Sequence, residues 1–294
     1  MMRKVLFVGL GRMGSPMAGY IAKSRKFDVS VFNRSQTKVE QWLGKYEGSI
    51  FSPEDLPEES PKNQFDFIAL CIGNDEDVRS TLTGSTDLIG KVKAGGTIID
   101  HTTTSAGLAQ QMYAAANERG IGYLDAPVSG GETGAINGQL SCMIGGDAGH
   151  VSGVVPILST YCKGMTHIGE SGSGQIAKMA NQFCIAGTLA GLSEAIKLLE
   201  KGNIDTKRAF QAIKGGAAQS WQMDNRFATM TQREFDFGFA TDHMIKDLKY
   251  ALQLADQQQW EPKVSKQVLQ WYELLSEEGH GSHDTSCLVE YYKK

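Results

Sequence analysis

The chain has 294 residues, 41% hydrophobic and 21% charged, with a formal net charge of -4, which suits one large or two ordinary globular domains. That charge offers no basic field for nucleic acid or an anionic membrane, although a small anionic ligand needs only local positive charge. No uninterrupted apolar run approaches the roughly 20 residues that span a bilayer, and five cysteines without C-x-x-C spacing (Cys71, Cys142, Cys162, Cys184, Cys287) read as reduced thiols of a cytoplasmic protein.

The opening "MMRKVLFVGLG" has a basic start, but its apolar run is too short for a signal peptide and breaks into turn-spaced glycines. Strands are predicted at Lys4–Val8, Val29–Phe32, Phe65–Cys71, Thr97–Asp100, Gly122–Asp125 and Ser141–Ile144, with a last short one at Met165–Ile168. Helical patterns intervene, such as Ser15–Lys23 and Ala106–Arg119. This alternation is that of a parallel sheet with crossover helices. After Gly174 the texture changes: residues 175–200 carry apolar side chains from Ile176 to Leu199 with no proline. They predict one helix of about 26 residues, roughly 39 Å long. Further helical patterns follow at Lys207–Ile213, Ile245–Gln257 and Lys263–Glu277.

Within the first βα turn, "VLFVGLGRMGSPMA" places Gly9, Gly11 and Gly14 in G-x-G-x-x-G spacing between a β-rich run and a helical pattern. In that context the motif is a dinucleotide fingerprint. Gly9 permits the turn, Gly11 the approach of a pyrophosphate, and Gly14 close helix packing, with Leu10, Arg12 and Met13 alongside. The expected fold is therefore an N-terminal Rossmann-type, doubly wound α/β domain over residues 1–167. An all-helical C-terminal domain over 168–294 completes the active site, joined by the long helix. The second strand ends in Asn33-Arg34-Ser35, where an NAD enzyme carries a carboxylate for the ribose 2′-hydroxyl. A neutral Asn33, the forked donors of Arg34 and the hydroxyls of Ser35 and Thr37 suit a 2′-phosphate, which points to NADP(H). A solvated arginine on a strand-end loop is the competing reading.

Two later stretches carry chemistry. In "DAPVSGGETGAINGQL", Ser129, Gly130 and Gly131 offer a hydroxyl and unobstructed backbone N–H groups that can hold a carboxylate, although Pro-x-Ser-Gly-Gly is also plain turn chemistry. In "GESGSGQIAKMANQ", Lys178, Asn181 and Gln182 share one helical face. A lysine there can donate a proton to a carbonyl oxygen while hydride arrives from a nicotinamide. Position alone leaves the alternative of a snorkelling surface lysine open.

Taken together, these stretches resemble the β-hydroxyacid dehydrogenase family, which contains 3-hydroxyisobutyrate dehydrogenase and tartronate semialdehyde reductase. "GLGRMGSPMA", "DAPVSGGETGAINGQL", "GESGSGQIAKMANQ" and "GFATDHMIKDL" match their counterparts in order along essentially the whole chain. The resemblance implies that Lys178 is the general acid and base, with Asn181 beside it. Ser129, Gly130 and Gly131 would grip the substrate, with Asn181 and Gln182 also lining its site. It further implies that Thr103 of "IIDHTTTS" lies beside the nicotinamide, and that Phe239, Lys246 and Asp247 belong to the cofactor site. The loop "CIGND" departs from the family's usual Met-Leu-Pro turn, so Cys71 and Ile72 stand where ribose contacts are expected. The implied reaction is reduction of a short aldehyde acid of tartronate semialdehyde, glyoxylate or succinic semialdehyde type, and its reverse. 3-Hydroxyisobutyrate oxidation, imine reduction and a non-catalytic NADPH-binding module are the alternatives. A homodimer or homotetramer is implied as well. No metal is expected, since His280, His283 and Asp284 in "GHGSHDTS" have no further ligand cluster beside them.

Overall fold

The computed structural model describes residues 2–52, 64–84 and 86–293. Its first half alternates strand and helix: β1 (Arg3–Val8), α1 (Gly14–Lys23), β2 (Phe27–Phe32), α2 (Gln36–Leu43), β3 (Ser49–Ile50), β4 (Phe65–Leu70), α3 (Asp75–Thr83), β5 (Val92–Asp100), α4 (Ala106–Asn117) and β6 (Gly122–Asp125). Next come β7 (Val128–Ser129), α5 (Gly131–Ile136), β8 (Leu140–Gly145), α6 (Ala148–Leu158) and β9 (Cys162–Gly169). These strands form one sheet in the order β3-β2-β1-β4-β5-β6-β8-β7, with β9 paired to β8. From β3 to β6 every pairing is parallel; β8 then runs antiparallel to β6 and β7, and β9 parallel to β8.

A sheet covered on both faces needs strands that are apolar on both faces. In β1, Val5 and Phe7 join a core with Met17, Ile21 and Trp42, while Leu6 and Val8 join the opposite one with Val78, Leu82 and Leu108. Chain order reverses between β1 and β4, so a crevice opens beyond their carboxyl ends, where open α/β sheets bind ligands.

The second half is helical: α7 (Ser173–Lys201), α8 (Thr206–Ile213), α9 (Trp221–Gln232), α10 (Thr241–Gln257) and α11 (Lys263–Leu275), ending in a 3-10 segment over Thr285–Lys293. By length and composition alone α7 is apolar enough to cross a bilayer. Yet its Ala186, Leu189, Leu192 and Ile196 are buried in a core with Phe227, Met244, Tyr272 and Leu288.

The compact units are Met1–Lys178 and Met179–Lys294. This division falls inside α7, because the first turns of the helix pack against the sheet. A Cβ at Gly174 would sit 2.5 Å from the Asp125 carbonyl oxygen and 2.6 Å from that of Met143. Two further differences from the sequence expectation concern helices. The unpredicted α9 hides Met223, Phe227 and Met230 in a polar sequence, and the Ser220 side chain caps it by accepting from the Met223 N–H. The tenth helix starts at Thr241, one turn before Ile245, because the buried Thr241 donates its N–H and hydroxyl to the His283 carbonyl (2.8 and 3.1 Å).

Candidate active site

The three fingerprint glycines differ in what requires them. Gly9 turns the chain at φ +94°, and a Cβ on it would overlap the Cys71 carbonyl oxygen. At Gly14 a Cβ would overlap the Gly9 carbonyl oxygen. Both glycines are thus required by packing within the protein. Gly11 is not: nothing lies within 4 Å of where its Cβ would stand. This clearance lies just before α1, whose N-terminus has no side-chain cap. It fits the approach of a dinucleotide pyrophosphate to backbone N–H groups.

Around this loop, Leu10 is buried and donates its N–H to Asn33 Oδ1 at 2.9 Å, and Asn33 Nδ2 donates to the Ser35 carbonyl at 3.2 Å. Asn33 therefore braces the glycine loop from the end of β2. Arg34, Ser35 and Thr37 are exposed. The Arg34 side chain, 82% exposed, meets the Asp77 carboxylate at 3.0 Å. Asp77 is held in the first turn of α3, its N–H donated to Asn74 Oδ1 at 3.0 Å. Arg12 is exposed, 3.9 Å from Glu132 in α5, and Met13 packs partly against the core.

The neighbouring strand ends are tied together by hydrogen bonds. Cys71 donates its N–H to the Val8 carbonyl (2.9 Å), and Ile72 donates to the Thr102 hydroxyl (3.1 Å). Thr103 follows in the loop after β5. At the end of β6, the buried Asp125 carboxylate accepts the N–H groups of Gly172 (2.8 Å) and Gln175 (3.0 Å). This anchors the start of α7, where the helix dipole favours a negative charge. Burial outweighs these N–H contacts and pushes the Asp125 carboxyl up to about 6.

Lys178 lies one turn further along α7. It is only 7% exposed, and its Nζ donates to the Val128 carbonyl at 3.0 Å. It is no surface lysine. Ser129 comes next in the chain, followed by Gly130 and Gly131 at φ +131° and +62°. These left-handed conformations favour glycine, and nothing lies within 4 Å of a Cβ built on Gly131. One compact unit thus brings together the ammonium and the backbone turn expected to hold a carboxylate.

The expected residues of the helical unit form a different arrangement. Asn181 Nδ2 donates to Gln182 Oε1 (2.8 Å), and Gln182 Nε2 donates to Asp247 Oδ2 (2.7 Å). Lys246 Nζ stands 3.0 Å from Asp247 Oδ1 and 5.1 Å from the centre of the Tyr250 ring. The sequence reading put Gln182 on the substrate and Asp247 on the cofactor. Here both are 1% exposed, and the Gln182 carboxamide has protein partners at both ends. A buried carboxylate needs such pairing, and it aligns Asn181 through Gln182. Phe239 donates its N–H to Asp284 Oδ2 (2.9 Å), and its ring lies 5.9 Å from that of His243. Asp284 is ion-paired with Arg226 at 3.0 Å. Among the described residues no group of three His, Cys, Asp or Glu is placed to hold a metal. Asp125, a buried carboxylate whose partners Gly172 and Gln175 are distant in the chain, was not expected from sequence, where only its apolar neighbours hinted at burial; Asp284, weighed there only as a metal ligand, instead holds Arg226 and the Phe239 N–H.

Comparisons with known proteins bear on the fold and the family. Residues 4–169 match the NAD-binding domain of 6-phosphogluconate dehydrogenase, and residues 172–292 match the NAD-binding region of NADP-dependent 3-hydroxyisobutyrate dehydrogenase. An uncharacterised oxidoreductase of Shewanella frigidimarina is 41% identical over 98% of this chain and 97% of its own. The 2-hydroxy-3-oxopropionate reductase of Escherichia coli is 34% identical over 86% and 84%. Among solved structures, the 3-hydroxyisobutyrate dehydrogenase of Mycobacterium tuberculosis, in a structure with L-serine, superposes with a TM-score of 0.87 at 26% identity over the whole of both chains. The fingerprint, the buried lysine and these matches together place the chain in the β-hydroxyacid dehydrogenase family of NAD(P)-dependent oxidoreductases.

Proposed function

We propose that this protein reduces a short aldehyde acid, of tartronate semialdehyde, glyoxylate or succinic semialdehyde type, to its hydroxy acid with NADPH, and catalyses the reverse with NADP. The observation that carries the proposal is the buried Lys178 ammonium on the Val128 carbonyl, next to Ser129-Gly130-Gly131. The Ser129 hydroxyl and the glycine N–H groups hold the substrate carboxylate. That places the carbonyl of a short chain within reach of Lys178. The ammonium stabilises the oxygen as negative charge develops and gives it a proton. The Val128 carbonyl accepts from the Nζ and orients the lysine. In the oxidation direction Lys178 takes the alcohol proton, which requires its neutral form. The bound nicotinamide supplies or accepts the hydride.

Support for NADP comes from the rim of the cofactor crevice. The neutral Asn33 carries no charge that would repel a 2′-phosphate, and Arg34, Ser35 and Thr37 stand exposed beside it. The Escherichia coli relative's name supports the aldehyde-acid class. Oxidation of 3-hydroxyisobutyrate is the second reading, favoured by the names of the second family match and the solved neighbour.

The test is a panel of short aldehyde acids and 3-hydroxy acids, followed by nicotinamide absorbance with each cofactor. Turnover of an aldehyde acid, faster with NADPH than NADH, is expected. Preference for NADH overturns the cofactor reading, and no turnover of any acid overturns the activity.

A further inference from the structure

Gln175 has no role in the proton transfer described above, yet it is completely buried and occupies a junction. Its side-chain Nε2 donates to the Thr102 carbonyl at 2.8 Å, and its Oε1 accepts the Thr104 N–H at 3.1 Å. The carboxamide thus clamps the backbone on both sides of Thr103. Its direction is fixed, because a carbonyl needs a donor and an N–H needs an acceptor. The Gln175 backbone N–H goes to the Asp125 carboxylate at 3.0 Å. Three residues later on the same helix stands Lys178.

The contacts form a continuous chain. Gly9 lies against Cys71 and Ile72, Ile72 is bonded to Thr102, Thr102 to Gln175, and Gln175 to Asp125. Only Gln175 in this chain belongs to the helix that carries Lys178. A long, flexible side chain that loses all exposure costs rotamer entropy. Satisfying two backbone groups offsets part of that cost, and an apolar side chain elsewhere would avoid the requirement altogether.

We propose that Gln175 is a positioning residue that locks the Lys178 helix in register with the Thr102–Thr104 loop, so that Lys178 and Thr103 meet the reacting atoms together. This rests on the functional reading above. Misplacement by about 1 Å costs as much as 100-fold in rate, so the clamp acts on kcat more than on substrate KM.

A Gln175→Glu variant gives the sharpest test, because its protonated carboxyl reproduces the pattern of the amide. The O–H donates to the Thr102 carbonyl, and the other oxygen accepts the Thr104 N–H. Once ionised, the side chain has only acceptors and sets one against the Thr102 carbonyl. The ratio of variant to wild-type kcat should therefore fall at least tenfold as pH rises through that carboxyl's titration, with KM changing less than threefold. Gln175→Met, similar in size and uncharged, should be slow at every pH and show no such titration. Its Thr104 amide should also exchange hydrogen faster, a readout independent of turnover. For a merely structural residue, kcat of the folded fraction would stay near wild type in both variants. A pH-independent Gln175→Glu ratio, or a folded Gln175→Met with more than half of wild-type kcat, overturns the positioning role. Lys178→Ala, assayed in parallel, separates the two failures: if it stays active, the functional reading has failed and the positioning role falls with it.

Discussion

The two cations on which the account depends sit in opposite environments. Lys178 lies on a buried floor: Val128 accepts from it, Asp125 anchors its helix, and Gln175 on the same helix clamps the Thr102–Thr104 loop. Arg34 stands on an exposed rim, 82% accessible, with the Asp77 carboxylate at 3.0 Å. In water an ion pair of that kind is worth little, about 0–1 kcal/mol. Under the proposed function, the chemistry falls to a buried cation and cofactor choice to an exposed one.

Breaking the floor should have the largest effect. Lys178→Arg keeps the charge but cannot lose its proton, so oxidation of the hydroxy acid should slow by roughly 10²–10⁴. Steady-state rates in the oxidation direction would show this, and near-normal oxidation by the variant would contradict it.

The floor should also govern acid stability. His101 is buried between the Ala126 carbonyl (2.7 Å) and the Tyr161 hydroxyl (2.8 Å), and burial pulls its pKa down to about 4. The folded chain then keeps it neutral while the unfolded chain protonates it below about 6.5. Its contribution to stability is present above that pH and lost as pH falls towards 4, about 3 kcal/mol in all. Asp100 and Asp125 oppose it, since burial pushes each up to about 6. Their contribution is present below about 4 and lost as pH rises through 6. Denaturant unfolding of wild type and His101→Gln should separate the two. The stability advantage of wild type over the variant should shrink by about 2 kcal/mol between pH 7 and pH 5. An unchanged difference would mean that His101 does not titrate as described.

On the rim the effects should be smaller and confined to the cofactor. Arg34→Asp removes the proposed charge-assisted contact to the 2′-phosphate, worth about 1.5–3 kcal/mol, so NADPH binding should weaken roughly tenfold to a hundredfold, and NADH much less. Equal weakening of both cofactors would remove Arg34 from the discrimination. The smallest effect is expected for Asp77→Ala, which frees Arg34 from its surface ion pair. NADPH affinity, measured by fluorescence titration, should change by no more than about fivefold. A larger loss would show that Asp77, and not Arg34 alone, sets the preference.

Floor and rim also differed in how far they could be read from the sequence. The fingerprint was legible because the positive φ of Gly9 and the close approach of Gly14 to the Gly9 carbonyl are local backbone geometry, which short spacing encodes. Lys178 was legible as a helical position, but its burial was not, because the Val128 carbonyl that receives it lies 50 residues away. The same holds for Gln182 and Asp247, separated by 65 residues. Read alone, Gln182 is a polar residue on the lysine's face; only the fold shows its amide held by protein on both sides. The strands β1, β2, β4, β5 and β6 were legible from their apolar runs, whereas the two-residue β3 and α9, which buries only Met223, Phe227 and Met230, were not.

The central claim is that Lys178 moves the proton and does not merely hold the cofactor site. The direct measurement is kcat for Lys178→Ala, with and without an added small primary amine, alongside NADPH titration of the same folded preparation. The account predicts a loss of roughly 10²–10⁴ in kcat, partial recovery with the amine, and an NADPH affinity close to wild type. A variant that keeps more than about a tenth of wild-type kcat, or that loses turnover only in proportion to lost NADPH binding, would contradict it.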